Sequence, residues 1–417
     1  MARPTDIRRV ITARFLSRAG SEAAFFVGVW GKAAFDLRAT PAQLAVVMFV
    51  LSATAILGSI TGGVLVDRYG PRRVLIGAEV LFVPAALAIA LANDLVTLTI
   101  LVAIWGLVGT PVQTAGASLA PYLAEDDTDL ARMNSWIEAA GSAAYVTGPA
   151  VGSLIVRYAS VNWVFYLDAI TSLVAAGIFM TVALKAPKRS SERGHPFAEF
   201  KDGIRATYGR RSLRFYVLGG TVTWLGFGAF GALEPLFYRD VVHTSVEAIG
   251  YMNSLFGVGI LFGALALQRM PRKVISARGL SIAMVLTGLG TIAYVGSADL
   301  RLIAAGSLVW GAVIGVLEPL LRTLLHRDAP EGMVGRITGT AQVHRQAGEL
   351  VPLAFAPVLA AAFGVQATLI AGGMLVAVIA ALGFVEAAAI DRSAKMVAAD
   401  FPVEGFRAVD EPISPNP

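Results

Sequence analysis

The sequence predicts an all-α membrane protein of twelve transmembrane helices arranged as two pseudo-symmetric six-helix bundles. Three observations lead there. Of the 417 residues, 56% are hydrophobic and only 15% charged, against about a quarter charged in soluble domains. The mean hydropathy is +0.67. The apolar residues also gather into twelve runs, each close to the length of about 20 residues that an α-helix needs to cross a hydrocarbon core. The 43 glycines suit helices in lipid, where small residues permit close backbone approach.

The runs cover 10–35, 42–66, 74–92, 95–120, 132–156, 161–184, 213–238, 247–268, 277–296, 300–324, 335–362 and 365–388. The first follows a short basic stretch, Met1–Arg9, and is interrupted by Arg14, Arg18 and Glu22. A cleavable leader has an unbroken apolar stretch instead, so this run reads as a retained first helix. Connections such as Asn93-Asp94 and Ser297-Ala298-Asp299 are short and make neighbouring helices antiparallel. An even number of spans puts both termini on one side, and the bias of Lys and Arg assigns that side to the cytoplasm. The expected location is the inner, cytoplasmic membrane.

Residues 185–212 form the one long connection, polar at first and then amphipathic through Phe197, Phe200, Ile204 and Tyr208. It divides the chain into an N-terminal bundle (1–184) and a C-terminal bundle (213–388), joined by a linker with an amphipathic helix at the membrane surface. The polar, Pro-containing remainder, 389–417, reads as a disordered cytoplasmic tail. The halves repeat: Arg14-Phe15 returns as Arg214-Phe215, Trp105-Gly106 as Trp310-Gly311, and Gly63–Arg73 in decayed form as Gly263–Lys273 with Gln268 in place of Asp67. Parallel halves with a site between them are the layout of an alternating-access carrier.

The absence of cysteine excludes a disulfide, a thiolate metal site and a cysteine nucleophile, and the net charge is +5. The basic excess reflects membrane orientation and does not imply nucleic acid. No phosphate-binding Gly-rich loop with Lys and Ser or Thr occurs, so any transport is driven by a gradient. No catalytic residue, cofactor or metal is expected.

The connection between runs two and three reads Gly63-Val64-Leu65-Val66-Asp67-Arg68-Tyr69-Gly70-Pro71-Arg72-Arg73. Its glycines allow helix ends to approach, Asp67 suits a helix N-terminus, and Arg68, Arg72 and Arg73 hold the loop inside. This order resembles the loop between helices two and three of the major facilitator superfamily of secondary transporters, with Pro71 where a basic residue is common. In the fifth run, Gly148-Pro149-Ala-Val-Gly152 resembles the Gly-Pro-x-x-Gly signature of that superfamily's proton-coupled exporters. With Asn134-Ser135 before it and Phe165-Tyr-Leu-Asp-Ala after it, the likeness is nearest the drug:proton antiporter branch that includes macrolide and siderophore exporters.

An ionisable side chain inside the hydrocarbon is costly and is a functional candidate by default. Arg14, Arg18 and Glu22 lie four apart on one face of the first helix, with Glu22 near the midplane. In the eleventh, His344, Arg345 and Glu349 form a second cluster read as mid-span, with Arg345 and Glu349 spaced for an ion pair. Glu318 of the tenth helix corresponds to Gln113 of the fourth and is the first choice of proton acceptor, ahead of Glu138. Glu234 is placed near the outer end of the seventh helix, within reach of interfacial water. Asp168 reads as structural. The resemblance implies that helices 1, 4, 7 and 10 line the central cavity, so Phe25, Phe26, Gln113, Trp224, Phe227, Glu234 and Trp310 are candidate cavity residues.

These features lead to a proton-coupled antiporter that exports amphiphilic small molecules by alternating access. Its partners are a small-molecule substrate, protons and membrane lipids, and the chain acts as a monomer. Asp67 is expected against the N-terminal end of helix 11 near Arg336 when the inner gate is shut. The alternatives are nutrient or metabolite uptake or facilitated diffusion, a siderophore exporter, and a receptor in which the buried charges serve only as struts.

Overall fold

The computed structural model describes residues 4–124, 126–183 and 196–400. Among them, eleven helices are long and apolar enough to cross a membrane. We number the crossings α1 to α12. The first, α1, runs over Pro4–Ala23 and continues through two π-helical segments, Ala24–Val29 and Gly31–Asp36. Its charges keep it below the apolarity of the others, and they are tolerated because the bundle hides them. The rest are α2 (Pro41–Tyr69), α3 (Pro71–Ala90), α4 (Leu95–Ala117), α5 (Asp127–Tyr158) and α6 (Asn162–Thr181) in the first half. In the second half, α7 comprises Arg211–Phe227, Phe230–Leu236 and a π-helical end at Phe237–Val241. It is followed by α8 (Val246–Arg269), α9 (Ala277–Val295), α10 (Leu300–Asp328), α11 (Val334–Phe363) and α12 (Val365–Asp400).

Local chemistry sets several boundaries. Thr40 caps α2 through a reciprocal box with Gln43, followed by Pro41 at the first helical position. Asp94 caps α4 by accepting from the backbone of Val96 and Thr97 and from the Thr97 hydroxyl at 2.6 Å. The Thr97 hydroxyl bond, followed by the backbone bonds, holds the exposed Asp94 carboxyl below its usual range. Between α2 and α3 the chain turns on Gly70 alone, at φ +79°, a conformation a side chain would strain. Helix α12 continues to Asp400, so the tail expected from 389 is helical over its first twelve residues. Residues 401–417, like 184–195 at the start of the linker, lie outside the described residues. The linker's second part is the expected helix, Pro196–Gly209.

The repeat is offset by 205 residues through this region, and that corrects one alignment. Gly58 of α2 lies against Leu107 and Thr110 of α4 just as Gly263 of α8 lies against Ala312 and Gly315 of α10. Gly58 is therefore the counterpart of Gly263, and Asp67 corresponds to Arg272 in a short 3-10 turn, not to Gln268. Gly63 makes no close approach, since a Cβ there would meet nothing within 4 Å; Gly62 is the residue pressed against Pro111.

The cores define the conformation. One large cluster spans both halves and draws on the ends of the helices away from the termini, including Trp30, Leu44, Met48, Phe165, Phe230, Leu236, Ile249 and Leu353. Towards the termini there are two separate clusters, one around Leu75, Leu119 and Phe179, the other around Leu213, Leu280 and Leu324. Each belongs to one half. The bundle is thus sealed at the end opposite the termini and parted at the terminal end.

A polar clasp reinforces the sealed end. Arg239, at the π-helical end of α7, donates from Nη1 to the carbonyls of Ala34 (2.6 Å) and Ala39 (2.9 Å) across the seam, while Asp240 pairs with its guanidinium. Charged hydrogen bonds of this kind contribute about 1.5–3 kcal/mol each, so losing the clasp shifts the sealed-to-open ratio by about ten-fold or more. Val246, buried against Gly31 of α1 at the seam, reports on it. Because the chain has no cysteine, Val246→Cys gives a single thiol. An impermeant maleimide is expected to label it slowly in the native background and several-fold faster with Arg239→Ala; equal rates would show that the clasp does not hold the seal.

Candidate functional site

The first polar cluster is built on one face of α1. Arg18 forms an ion pair with Glu22 one turn on, Nε to Oε1 at 2.5 Å. Arg18 also donates from Nη1 to the Gln113 side-chain oxygen at 2.8 Å, and Arg14 donates to the same oxygen at 3.3 Å and to the Val112 carbonyl at 3.2 Å. Gln113, expected as a cavity residue, spends its carbonyl holding both arginines to α4. Asp168 of α6 is fully buried and accepts from Ser21 of α1 and from the Trp105 indole of α4, both at 3.2 Å. It locks three helices together, the structural part expected of it.

The second cluster belongs to the other half. Glu234 of α7 is 6% exposed. Its Oε1 accepts from the Tyr294 hydroxyl of α9 at 2.6 Å and from Asn253 of α8 at 3.2 Å, and the Tyr238 and Tyr294 hydroxyls are 2.7 Å apart. Glu234 therefore does not reach interfacial water. Among the described residues no cation pairs with it, and its only recorded donors are neutral.

Between the clusters stands Tyr145 of α5, half-buried on the seam. It lies within electrostatic reach of both Glu22 and Glu234, packs edge-on against Phe26 at 5.5 Å, and lies against Gly257 of α8. Phe25, Phe26 and Trp30 form a ring cluster on α1 with centroids 4.8–5.3 Å apart. Opposite, Trp310 is enclosed by Phe227, stacked at 4.8 Å, and by Phe230, Phe256 and Tyr294. At 4% exposed, Trp310 is packing behind Phe227 and not a surface open to a ligand in this conformation. Trp224 is half-buried, and the Arg345 guanidinium lies 4.5 Å from its ring centre.

That contact alters the reading of helix 11. Arg345 stacks on Trp224 and donates to Gln342 at 3.2 Å, and among the described residues it makes no ion pair with Glu349. His344 is not mid-span: its Nε2 bonds Tyr208 of the linker helix at 2.8 Å, at the terminal side. Glu318 is half-buried with no hydrogen bond or ion pair among the described residues, and Glu138 is exposed on α5. Neither joins a polar network, so the buried acid of the second half is Glu234.

The loop residues divide by role. Arg72 donates to the carbonyls of Phe179 (3.0 Å) and Met180 (2.6 Å), tying the start of α3 to the end of α6, where a cation is favourable. Arg68 lies over Tyr69 at 5.3 Å, and Asp67 and Arg73 are exposed. The first turns of α11 are covered by the linker helix: Arg336 pairs with Asp202 at 3.4 Å, and Gly203 is pressed against Arg336 and Thr340.

Sequence reasoning did not single out Glu79, Tyr145, Asn253, Tyr294, Lys32 or Arg239. Glu79 stands alone in an apolar run, a usable signal. Lys32 is 4% exposed near the sealed end, donating to the Ala90 carbonyl at 2.9 Å and to Asn162 at 2.7 Å. The neutral partners of Glu234 have no sequence signature, since Tyr and Asn are unremarkable in a membrane helix.

The α5 motif sits directly on this site. A Cβ at Gly148 would come within 2.5 Å of the Ala19 carbonyl and 2.9 Å of the Glu22 Cβ, and one at Gly152 within 3.2 Å of Ala23 and Val27. Crowding of this kind costs about 1–3 kcal/mol. Gly148→Ala is therefore expected to lower the unfolding temperature in detergent, whereas Gly141→Ala, with nothing within 4 Å, should leave it level or raise it. Equal behaviour of the two variants would contradict the packing described.

Comparison with known proteins agrees with the fold. The Major Facilitator Superfamily profile matches residues 10–352. The multidrug efflux pump Tap of Mycobacterium tuberculosis (strain ATCC 25618 / H37Rv) is 25% identical over 346 residues, covering 79% of this chain and 81% of the pump. Macrolide efflux protein A of Streptococcus pyogenes is 22% identical over 297 residues, covering 63% of this chain and 73% of that protein. Among solved structures, a bacterial homologue of the human lysosomal transporter Spinster, inward-facing and unoccupied, superposes with a TM-score of 0.73 at 12% identity, covering 94% and 98% of the two chains. The nucleoside transporter NupG gives 0.71 at 12%, covering 91% and 98%. With the profile spanning most of its length and twelve helices in the matching fold, the chain belongs to the Major Facilitator Superfamily.

Proposed function

We propose that the protein exports amphiphilic small molecules from the cytoplasm in exchange for protons, with Glu22 and Glu234 as the coupling acids. The observation that carries this reading is the placement of two buried carboxyls on either side of the seam, with Tyr145 between them. An ionised carboxylate with only neutral donors around it is expensive in a bundle interior, so Glu234 holds a proton while the seal above it is shut. Reorganising the seam changes that environment and with it the preferred protonation state, as coupling requires. Glu22 differs because Arg18 supports its charge, so the two acids respond unequally to the same motion.

The orientation follows from the basic bias of the loops: the termini lie in the cytoplasm, and the parted end is the cytoplasmic mouth. Phe25, Trp224 and Phe227 offer apolar and aromatic faces to a substrate near these acids. The names of the efflux relatives and the Gly148-Pro149-x-x-Gly152 contact beside Glu22 favour export over uptake.

Proteoliposomes with an acidic interior test the reading, with ethidium as the amphiphilic probe. Native protein should accumulate ethidium inside, while Glu22→Gln and Glu234→Gln should each cut gradient-driven uptake by about ten-fold or more while still binding ethidium. Native uptake that ignores the gradient, or variants that keep it, would overturn the assignment. The Asp67 loop acts on the rate of switching, so Asp67→Asn should slow ethidium transport strongly and leave its binding constant nearly unchanged. Unchanged transport in that variant would remove the loop from the mechanism.

A further inference from the structure

We propose that Glu79 is a second proton-binding site, set apart from the seam and controlled by Arg14. Glu79 lies in the middle of α3 and is 1% exposed. Among the described residues no hydrogen bond of good geometry reaches either of its carboxyl oxygens, although Ser17 of α1 and Ser172 of α6 lie within its reach, and the buried Ser172 hydroxyl has no other partner. An ionised carboxylate in that setting costs several kcal/mol. A proton on one oxygen removes the charge and supplies a donor for the neighbouring serine oxygens.

The surrounding charges support this. From α1 the site faces Arg14, with Arg18 and Glu22 beyond it; from α6 it faces Asp168; from α4 come Gln113 and the Trp105 indole, which carry no charge. Three acids thus share two arginines. Arg18 is committed to Glu22, and Asp168 is held by neutral donors. Arg14 is turned to α4, on the Val112 carbonyl and Gln113, and forms no ion pair with Glu79. Gly116 of α4 makes room for it there, since a Cβ at that position would collide with the guanidinium.

The arrangement is a two-position device. With Arg14 on α4, Glu79 is neutral. A shift of α1 against α4 that brings Arg14 to Glu79 stabilises the carboxylate: the O–H bond breaks, its electron pair stays on the carboxylate, and the proton passes to water in the mouth at the terminal side. The reverse motion takes a proton up. As a part of turnover this rests on the proton-exchange reading above; as a proton site it does not.

Infrared pH titration of the purified full-length chain tests it through the carbonyl stretch of protonated carboxyls. Glu79→Gln is expected to remove the intensity of one carboxyl from the native band, and Arg14→Gln, in which Glu79 remains, should keep that intensity to a pH about one unit or more higher. Arg14→Gln and Gly116→Ala, which drives Arg14 off its α4 position, carry the test if Glu79→Gln does not fold; Gly116→Ala should move the titration to lower pH. A band unchanged in Glu79→Gln, or one whose titration ignores Arg14→Gln, would overturn the site. In ethidium-transporting proteoliposomes, Glu79→Gln should lower the protons moved per ethidium by one with ethidium binding retained; the native ratio would overturn its part in turnover. Absence of ethidium-coupled proton movement in the native protein would instead overturn the exchange reading and leave the infrared result standing.

Discussion

The structure depends on one constraint: an ionisable group in the hydrocarbon must be hidden from lipid and given a partner. Helix α1 could not cross alone with Arg14, Arg18 and Glu22 on one face. It does so because α4 supplies Gln113 and a backbone carbonyl, α5 closes over Glu22 through Gly148, and α6 docks at Gly20 beside Asp168. The same polar groups that make the helix a poor lipid span make it the organising element of its half. At Glu234 the second half meets the constraint differently, surrounding the acid with a shell of neutral donors.

That difference gives the pseudo-symmetry its meaning. The backbone repeat is close enough that Gly58 and Gly263 make equivalent contacts, and both α1 and α7 end in π-helical turns at the sealed side. Such turns are common where helices carry function. The side chains have diverged over this shared frame: a buried charge pair on α1, a buried carboxyl among neutral donors on α7. A rocking motion that treats the halves alike geometrically therefore acts on two unlike electrostatic environments.

How much of this was legible in the sequence follows from what leaves a periodic or compositional trace. The apolar runs and short connections specify twelve crossings, and the four-residue spacing of Arg14, Arg18 and Glu22 shows a common face. Glu22 and Arg18 were readable as a pair because they are one turn apart on one helix. The burial of Glu234 leaves no such trace, because it is set by Tyr294 and Asn253 from other helices. Arg345 and Glu349 have the right spacing, yet the Trp224 ring competes for the guanidinium, and spacing alone cannot reveal a competitor. The alignment of Gly63 with Gly263 failed for a related reason: glycines are frequent, and only the atoms they touch identify the equivalent pair.

In the proposed mechanism, Glu22 and Glu234 exchange protons as the seam reorganises around a substrate. Proton release by purified protein in weakly buffered detergent, on adding ethidium, tests it most directly. The native chain is expected to release protons on binding, and the Glu22→Gln, Glu234→Gln double variant to bind ethidium with that release lost. Release of the same size from the double variant would contradict it.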